Sequence, residues 1–242
     1  MIILWKELRY SIRYKIQTIN MLVSPFFIIY SYVLLASEYG EGKQILKSML
    51  AWYWLNQIFF ETGSGFYVER MEGTFVNYLM CPIGIIKYLF WKYIYIVIIC
   101  IIISINVIIF GNIFGMNILF KEAIMLVLLL LVSSVPTWTC SLLYCGLCLK
   151  YKKMSDINSI VQQILGVLSG CTTNINNYSR IVRFVSYLIP LTYTILMSNK
   201  NMILGKYLIP QYGIGIICFG IGIAIIKNSV KEMRQKGECE QW

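Results

Sequence analysis

Histidine is absent from the 242 residues, and only 13% of positions are charged. Without histidine the chain lacks the side chain most often used as a base or metal ligand near neutral pH. No stretch fits G-x-x-x-x-G-K-[ST], so no phosphate-cradling loop of that kind is present. No two carboxylates share one apolar run, which removes the paired acids a membrane hydrolase would use. Lys and Arg are nearly missing from the middle of the apolar runs, which excludes a voltage sensor. Of the eight cysteines, Cys145 and Cys148 form one C-x-x-C with no second pair beside it, so no metal site is expected.

What is there in abundance is apolar surface. Hydrophobic residues make up 58% of the chain, more than a soluble domain of this size could hide. Several runs approach the ~20 residues needed to cross a bilayer, and they are continuous rather than alternating. The fold class is therefore all-α integral membrane, in one helical domain over 1–242. The net charge of +10 reflects basic residues beside the spans rather than nucleic-acid binding. The first run begins after about twenty residues, is too long for a signal peptide, and shows no small-residue cleavage site.

The amino end, 1–18, reads as an interfacial helix. Leu4, Trp5, Leu8, Ile12 and Ile16 share one side of the wheel; Lys6, Arg9 and Arg13 oppose them, toward lipid phosphates. Six spans follow, near Ile19–Ser37, Ile45–Tyr67, Tyr93–Phe114, Ala123–Leu147, Ile157–Thr173 and Tyr207–Ile226. Pro25 falls in the first turns of span one, Pro136 marks a kink in span four, and Gly213, Gly215, Gly220 and Gly222 allow tight packing of span six. Residues 174–206 are too one-sided to cross and read as short helices that dip into the outer surface. The tail, 227–242, is polar and basic. Fourteen of the twenty-one Lys and Arg fall on one side in this arrangement, so both termini are expected in the cytoplasm.

The largest polar interruption in the first half is Val68–Lys92. Glu69, Arg70 and Glu72 are too costly for hydrocarbon and place it at a membrane surface. Gly73 and Pro82 bracket a short helix, with Thr74 placed to cap it and Phe75, Tyr78 and Leu79 on one face. A plain surface loop is the alternative. Glu61, the one acid well inside a span, is a proton or substrate contact or else an interfacial group near the span's end.

E-R-x-x-G-T, a short helix and a proline between the second and third spans resemble the ABC-2 family of ABC transporter membrane subunits. The matching positions are Glu69, Arg70, Gly73 and Thr74, with Leu79, Met80 and Pro82 in the short helix. The elbow at 1–18 and the dipping segment, with its Ile189-Pro190-Leu191-Thr192-Tyr193, extend the resemblance over most of the chain. It implies that 68–92 is a coupling helix docking on a separate ATPase, with Phe75 and Tyr78 in the contact. It also implies a second permease chain, two ATPase copies carrying ATP and Mg, no cofactor on this chain, and a bacterial cytoplasmic membrane. Path-facing candidates are Trp52, Trp54, Asn56, Gln57, Phe59, Gln162 and Gln163, which ordinary helix contact would equally explain. The expected activity is export of an amphipathic peptide, antimicrobial or drug-like molecule. A proton-coupled secondary carrier and a non-transporting anchor or sensor partner are the other classes.

Overall fold

A computed structural model describes residues 2–37, 42–71, 73–80, 84–113, 118–151, 154–171, 175–200 and 205–236. Among them the regular structure is helical, in eleven α-helices and one 3₁₀ turn. An interfacial-length helix α1 (Ile2–Arg13) breaks at Tyr14 and leads into α2 (Lys15–Ser37). Then come α3 (Gly42–Gly63), the short α4 (Gly65–Met71) and α5 (Phe75–Met80), and the long α6 (Ile85–Ile113) and α7 (Phe120–Lys150). After α8 (Met154–Leu168) and the 3₁₀ turn at Ile175–Asn177, α9 (Arg180–Tyr187) and α10 (Pro190–Lys200) precede α11 (Gly205–Lys236).

Among the described residues four helices are long and apolar enough to cross a bilayer: α2, α6, α7 and α11. At 1.5 Å per residue, the 29 residues of α6 reach roughly 43 Å, past the ~30 Å hydrocarbon core. The pair α9–α10 is bent by 93° and would add a fifth crossing only if taken as one broken span. The expected second and fifth spans look different from the sequence reading. α3 carries Lys43, Lys47, Asn56, Gln57 and Glu61, which lowers its hydropathy, and it is sheltered by α2, α6, α7 and α10. It stops at Gly63, and a turn at Ser64 separates it from α4, so Ile45–Tyr67 is covered by two helices rather than one. α8 has only 15 residues and ends at Ser169 and Gly170, whose φ of +78° takes the left-handed region that glycine accepts. Pro25 lies well inside α2 rather than in its first turns, because α2 begins four residues before the expected span.

The centre of the bundle is α7, packed on α11, α3 and α10. The contact with α11 is built on missing side chains. A Cβ at Gly222 would lie 2.7 Å from the Leu143 backbone nitrogen, and one at Gly215 3.1 Å from Pro136 Cα. On the other side, a Cβ at Gly146 would meet Ile225 at 2.8 Å. Such close approach gains dispersion contacts, the main driving force for helix association where lipid is as apolar as leucine. Gly213 and Gly220 have open space instead.

Trp54, a path candidate from its sequence position, is fully buried against α6 and donates its indole N–H to the Cys100 carbonyl at 2.7 Å. It is a fixed strut rather than a lining residue. Trp54→Phe would remove one of two side-chain donors to that carbonyl, the Ser104 hydroxyl keeping its bond at 2.8 Å, and is expected to lower stability by about 0.5–1.5 kcal/mol, read as a lower unfolding temperature of the purified chain.

Candidate functional site

Two ion-paired clusters pin opposite ends of the bundle. At one end Glu122, at the start of α7, lies 3.0 Å from Lys43 and 3.1 Å from Lys47 of α3. Ser48 there donates to Asn199 of α10 at 2.9 Å. At the other end the chain gathers α1, α4, α5, the start of α6 and the ends of α7 and α11 around one apolar cluster. Its members include Ile3, Phe66, Phe75, Tyr88, Leu142, Cys145, Val230 and Met233. Phe66 is its hub, with ring centroids 5.5 Å from Phe75, 6.4 Å from Tyr78 and 4.7 Å from Tyr88.

Glu69 sits in this cluster, 4% exposed. A buried carboxylate demands donors on most of its lone pairs, and here they come from α1, from α6 and from the turn before α5. Lys6 Nζ of α1 donates to Oε1 at 2.8 Å, and Tyr88 of α6 donates to the same oxygen at 3.0 Å. The Thr74 hydroxyl donates to Oε2. Lys6 also donates to the Tyr78 hydroxyl at 2.7 Å, and Tyr78 in turn reaches Glu69 at 3.4 Å. The backbone closes the turn: the N–H groups of Gly73 and Thr74 donate to the carbonyls of Arg70 and Glu69 at 3.1 and 2.9 Å. That geometry needs φ of +70° at Gly73, a conformation other residues enter at a cost of 1–2 kcal/mol or so.

Lys6 therefore does something other than face lipid phosphates, as its place on the wheel had suggested. Thr74 also departs from expectation. Its hydroxyl is engaged by the Glu69 carboxylate and carbonyl, so it does not cap α5 with its side chain; its own carbonyl accepts the Asn77 N–H at 3.1 Å. The apolar stripe expected over 1–18 is split as well. Leu4 and Leu8 pack on the core, whereas Trp5, Ile12 and Ile16 stand outward.

The charge state of the lock follows from its partners. Burial pushes the Glu69 carboxyl up, but the Lys6, Thr74 and Tyr88 hydrogen bonds and the Lys6 charge outweigh it and hold it below the usual carboxylate range. Burial also pulls the Lys6 ammonium down, and bonding to Glu69 and Tyr78 more than reverses this. A carboxylate with a lowered folded-state pKa stabilises the fold above its ordinary value, and that support is lost as pH falls through the folded value. Lys6, raised, stabilises below its ordinary pKa and fails only at strongly alkaline pH. The lock is thus intact at neutral pH and opens in acid. Amide protection at 73–78, corrected for intrinsic exchange rate, is expected to fall as pH drops below the ordinary carboxylate range, and Glu69→Gln should abolish that acid step.

Of the remaining loop residues, Arg70 is buried and Gly73 and Asn77 are exposed. Glu72 and Pro82 lie outside the described residues, as do the side chains of Leu79 and Met80. Sequence reasoning missed Lys6 and Tyr88. Pairing across 63 residues leaves no local pattern, and the hint available was a lone acid in need of cations.

The path candidates are partly brought together. Asn56 and Phe59 of α3 line a cavity of about 230 Å³ with Thr137, Cys140, Pro190 and Cys218. Trp52 instead lies against α8, where a Cβ at Gly166 would meet its indole nitrogen at 2.8 Å. Gln57 donates within its own helix to Tyr53 at 3.0 Å. Gln162 is half-buried, Gln163 is exposed, and Glu61 is exposed in the last turn of α3.

No curated protein is matched by this chain. The family model described as ABC-2 type transporter matches residues 1–203, five sixths of its length. The chain belongs to the ABC-2 family of transporter membrane proteins, a multi-pass helical component of a transport system.

Proposed function

We propose that this chain is the membrane-spanning subunit of an ATP-driven exporter, with no nucleotide site of its own. The observation that carries the reading is the Lys6–Glu69–Thr74–Tyr88 lock. It makes α1, α4, α5 and α6 move as one piece, joined through the apolar cluster to the ends of α7 and α11. A push on α5 then reaches the long helices without bending a loop. In this reading α1 is the elbow helix, α4–α5 the coupling segment, α3 and α8 the second and fifth of six crossings, and α9–α10 a dipping outer segment. Both termini face the cytoplasm of a bacterial cell, a reading that the basic excess on that side supports.

Two ATPase copies, carrying ATP and Mg, and a second permease chain complete the assembly. Glu69 and Arg70, being buried, shape the coupling segment; the exposed Asn77 and the turn at Gly73 meet the ATPase. The apolar cavity beside Asn56 and Phe59 offers one amide amid hydrocarbon, which suits an amphipathic peptide, antimicrobial or drug-like molecule.

Side of exposure tests this directly. In a background with Cys81 and Cys239 changed to Ser, Asn77→Cys should react with a membrane-impermeant maleimide only in inside-out vesicles. Adding the co-purified ATPase should reduce that labelling several-fold. Labelling from the outer medium, or cargo transport at full rate with no ATPase chain, would overturn the proposal.

A further inference from the structure

The outward side of α1 carries an open groove of about 590 Å³ lined by Trp5, Lys6, Arg9, Tyr10, Arg13 and Tyr14. Two of the six, Arg9 and Arg13, are cations outside the lock; the third, Lys6, lines the groove with its stem while its ammonium is held by Glu69, and none of the six is a carboxylate. Neither Arg9 nor Arg13 has a hydrogen-bond or ion-pair partner among the described residues. Tyr10 and Tyr14 lie with ring centroids 4.4 Å apart and form one wall. We propose that this groove seats the phosphate headgroup of an anionic phospholipid.

Three features favour a lipid over a soluble anion. Arg9 and Arg13 are four apart, so two guanidinium forks rise from one helix face, a spacing suited to a phosphate's several acceptor oxygens. Tyrosine and tryptophan rings are the side chains that settle at headgroup depth. One of the lining residues is itself a large apolar side chain facing away from the protein: Trp5 is 63% exposed, and Tyr10 and Tyr14 beside it are exposed too. A free phosphate would leave these in water, whereas a phospholipid brings acyl chains that cover them. The seat also adjoins the lock, since Lys6 lines the groove while its ammonium holds Glu69. The inference rests on the groove itself and not on the assignment of export or cargo.

The test compares the full chain in nanodiscs of equal phosphatidylglycerol and phosphatidylcholine, with retained lipid read by native mass spectrometry. Wild type should retain phosphatidylglycerol preferentially. Charge-assisted bonds from two guanidinium forks to one phosphate are about twice as strong as neutral hydrogen bonds, so R9Q/R13Q should lower it by at least ~10-fold. The control K227Q/K231Q removes two exposed charges at the same end of the bundle and should leave the preference within about twofold of wild type. Equal losses in both double variants would mean diffuse attraction and overturn the seat. Unchanged retention in R9Q/R13Q, as when the groove is covered by a protein partner, would overturn it too. Displacement of the lipid by inorganic phosphate alone would overturn the choice of a lipid.

Discussion

Glu69→Lys is expected to free the segment from Gly73 to Tyr78 while leaving the long helices packed. The substitution sets a second ammonium beside Lys6 in a site that is nearly closed to water, and it removes the acceptor used by Thr74 and Tyr88. Breaking a buried pair by removing one member costs about 3–5 kcal/mol, because the other charge is left uncompensated. Here the lower end applies, since the Lys6 side chain is 46% exposed and can turn to water. About 3 kcal/mol of local stability corresponds to a loss of amide protection on the order of 100-fold. That loss should be confined to residues 73–78 and the first turns of α1, with α7 and α11 unchanged. If the proposed coupling role holds, substrate-stimulated ATP turnover by the assembled complex falls in parallel. Lys6→Gln should show a weaker version of the same pattern. The Lys6→Glu/Glu69→Lys exchange should recover part of the loss, because the hydroxyls of Thr74 and Tyr88 can accept as well as donate. Unaltered protection at 73–78 in Glu69→Lys would mean that the apolar cluster around Phe66 holds the segment without the ion pair.

The positions of this lock were half legible in the amino-acid sequence, and the missing half is informative. Glu69, Gly73 and Thr74 stood out because polar residues in so apolar a chain must sit where water or a partner can reach them. Gly73 could be tied to a turn, and the structure places it at positive φ. Lys6 could not be tied to Glu69, since a helical wheel assigns a direction relative to its own axis and not a neighbour. The same limit explains Asn56 and Gln57. Adjacent amides point 100° apart on α3, so one lines the cavity and the other bonds to Tyr53. Span counting was least secure where hydropathy is diluted. α3 shelters Lys47, Ser48 and Asn56 among four helices, and α8 is too short to meet the length rule. The family relation supplied order to the loop and the elbow, whereas composition supplied only the bilayer.

Glycine spacing poses the same problem with a sharper outcome. Gly213 and Gly220 are seven apart, as are Gly215 and Gly222, and both pairs lie on α11. Only the second pair faces α7 at a distance that leaves no room for Cβ, with backbone atoms of Leu142 and Leu143 at 2.9 and 2.7 Å from the Gly222 position. Backbone cannot rotate aside as a flexible side-chain tip can, so Gly222→Ala must push the two helices apart. Overpacking of this kind costs about 1–3 kcal/mol. Gly222→Leu should cost more, because separating α7 from α11 also withdraws Ile225 from the Gly146 notch. Gly220→Ala should do the reverse. Nothing lies within 4 Å of its Cβ, and replacing glycine by alanine inside a helix gains up to ~1 kcal/mol of propensity. The check is the unfolding temperature of the purified chain in one detergent: Gly222→Ala below wild type, Gly222→Leu far below, Gly220→Ala at or above it. Because α11 also contributes Ile226, Val230 and Met233 to the cluster around the lock, Gly222→Leu should loosen residues 73–78 as well. Glu69→Lys should not loosen α11. That one-way dependence separates a bundle that supports the coupling segment from a segment that supports the bundle, and equal melting in both directions would contradict it.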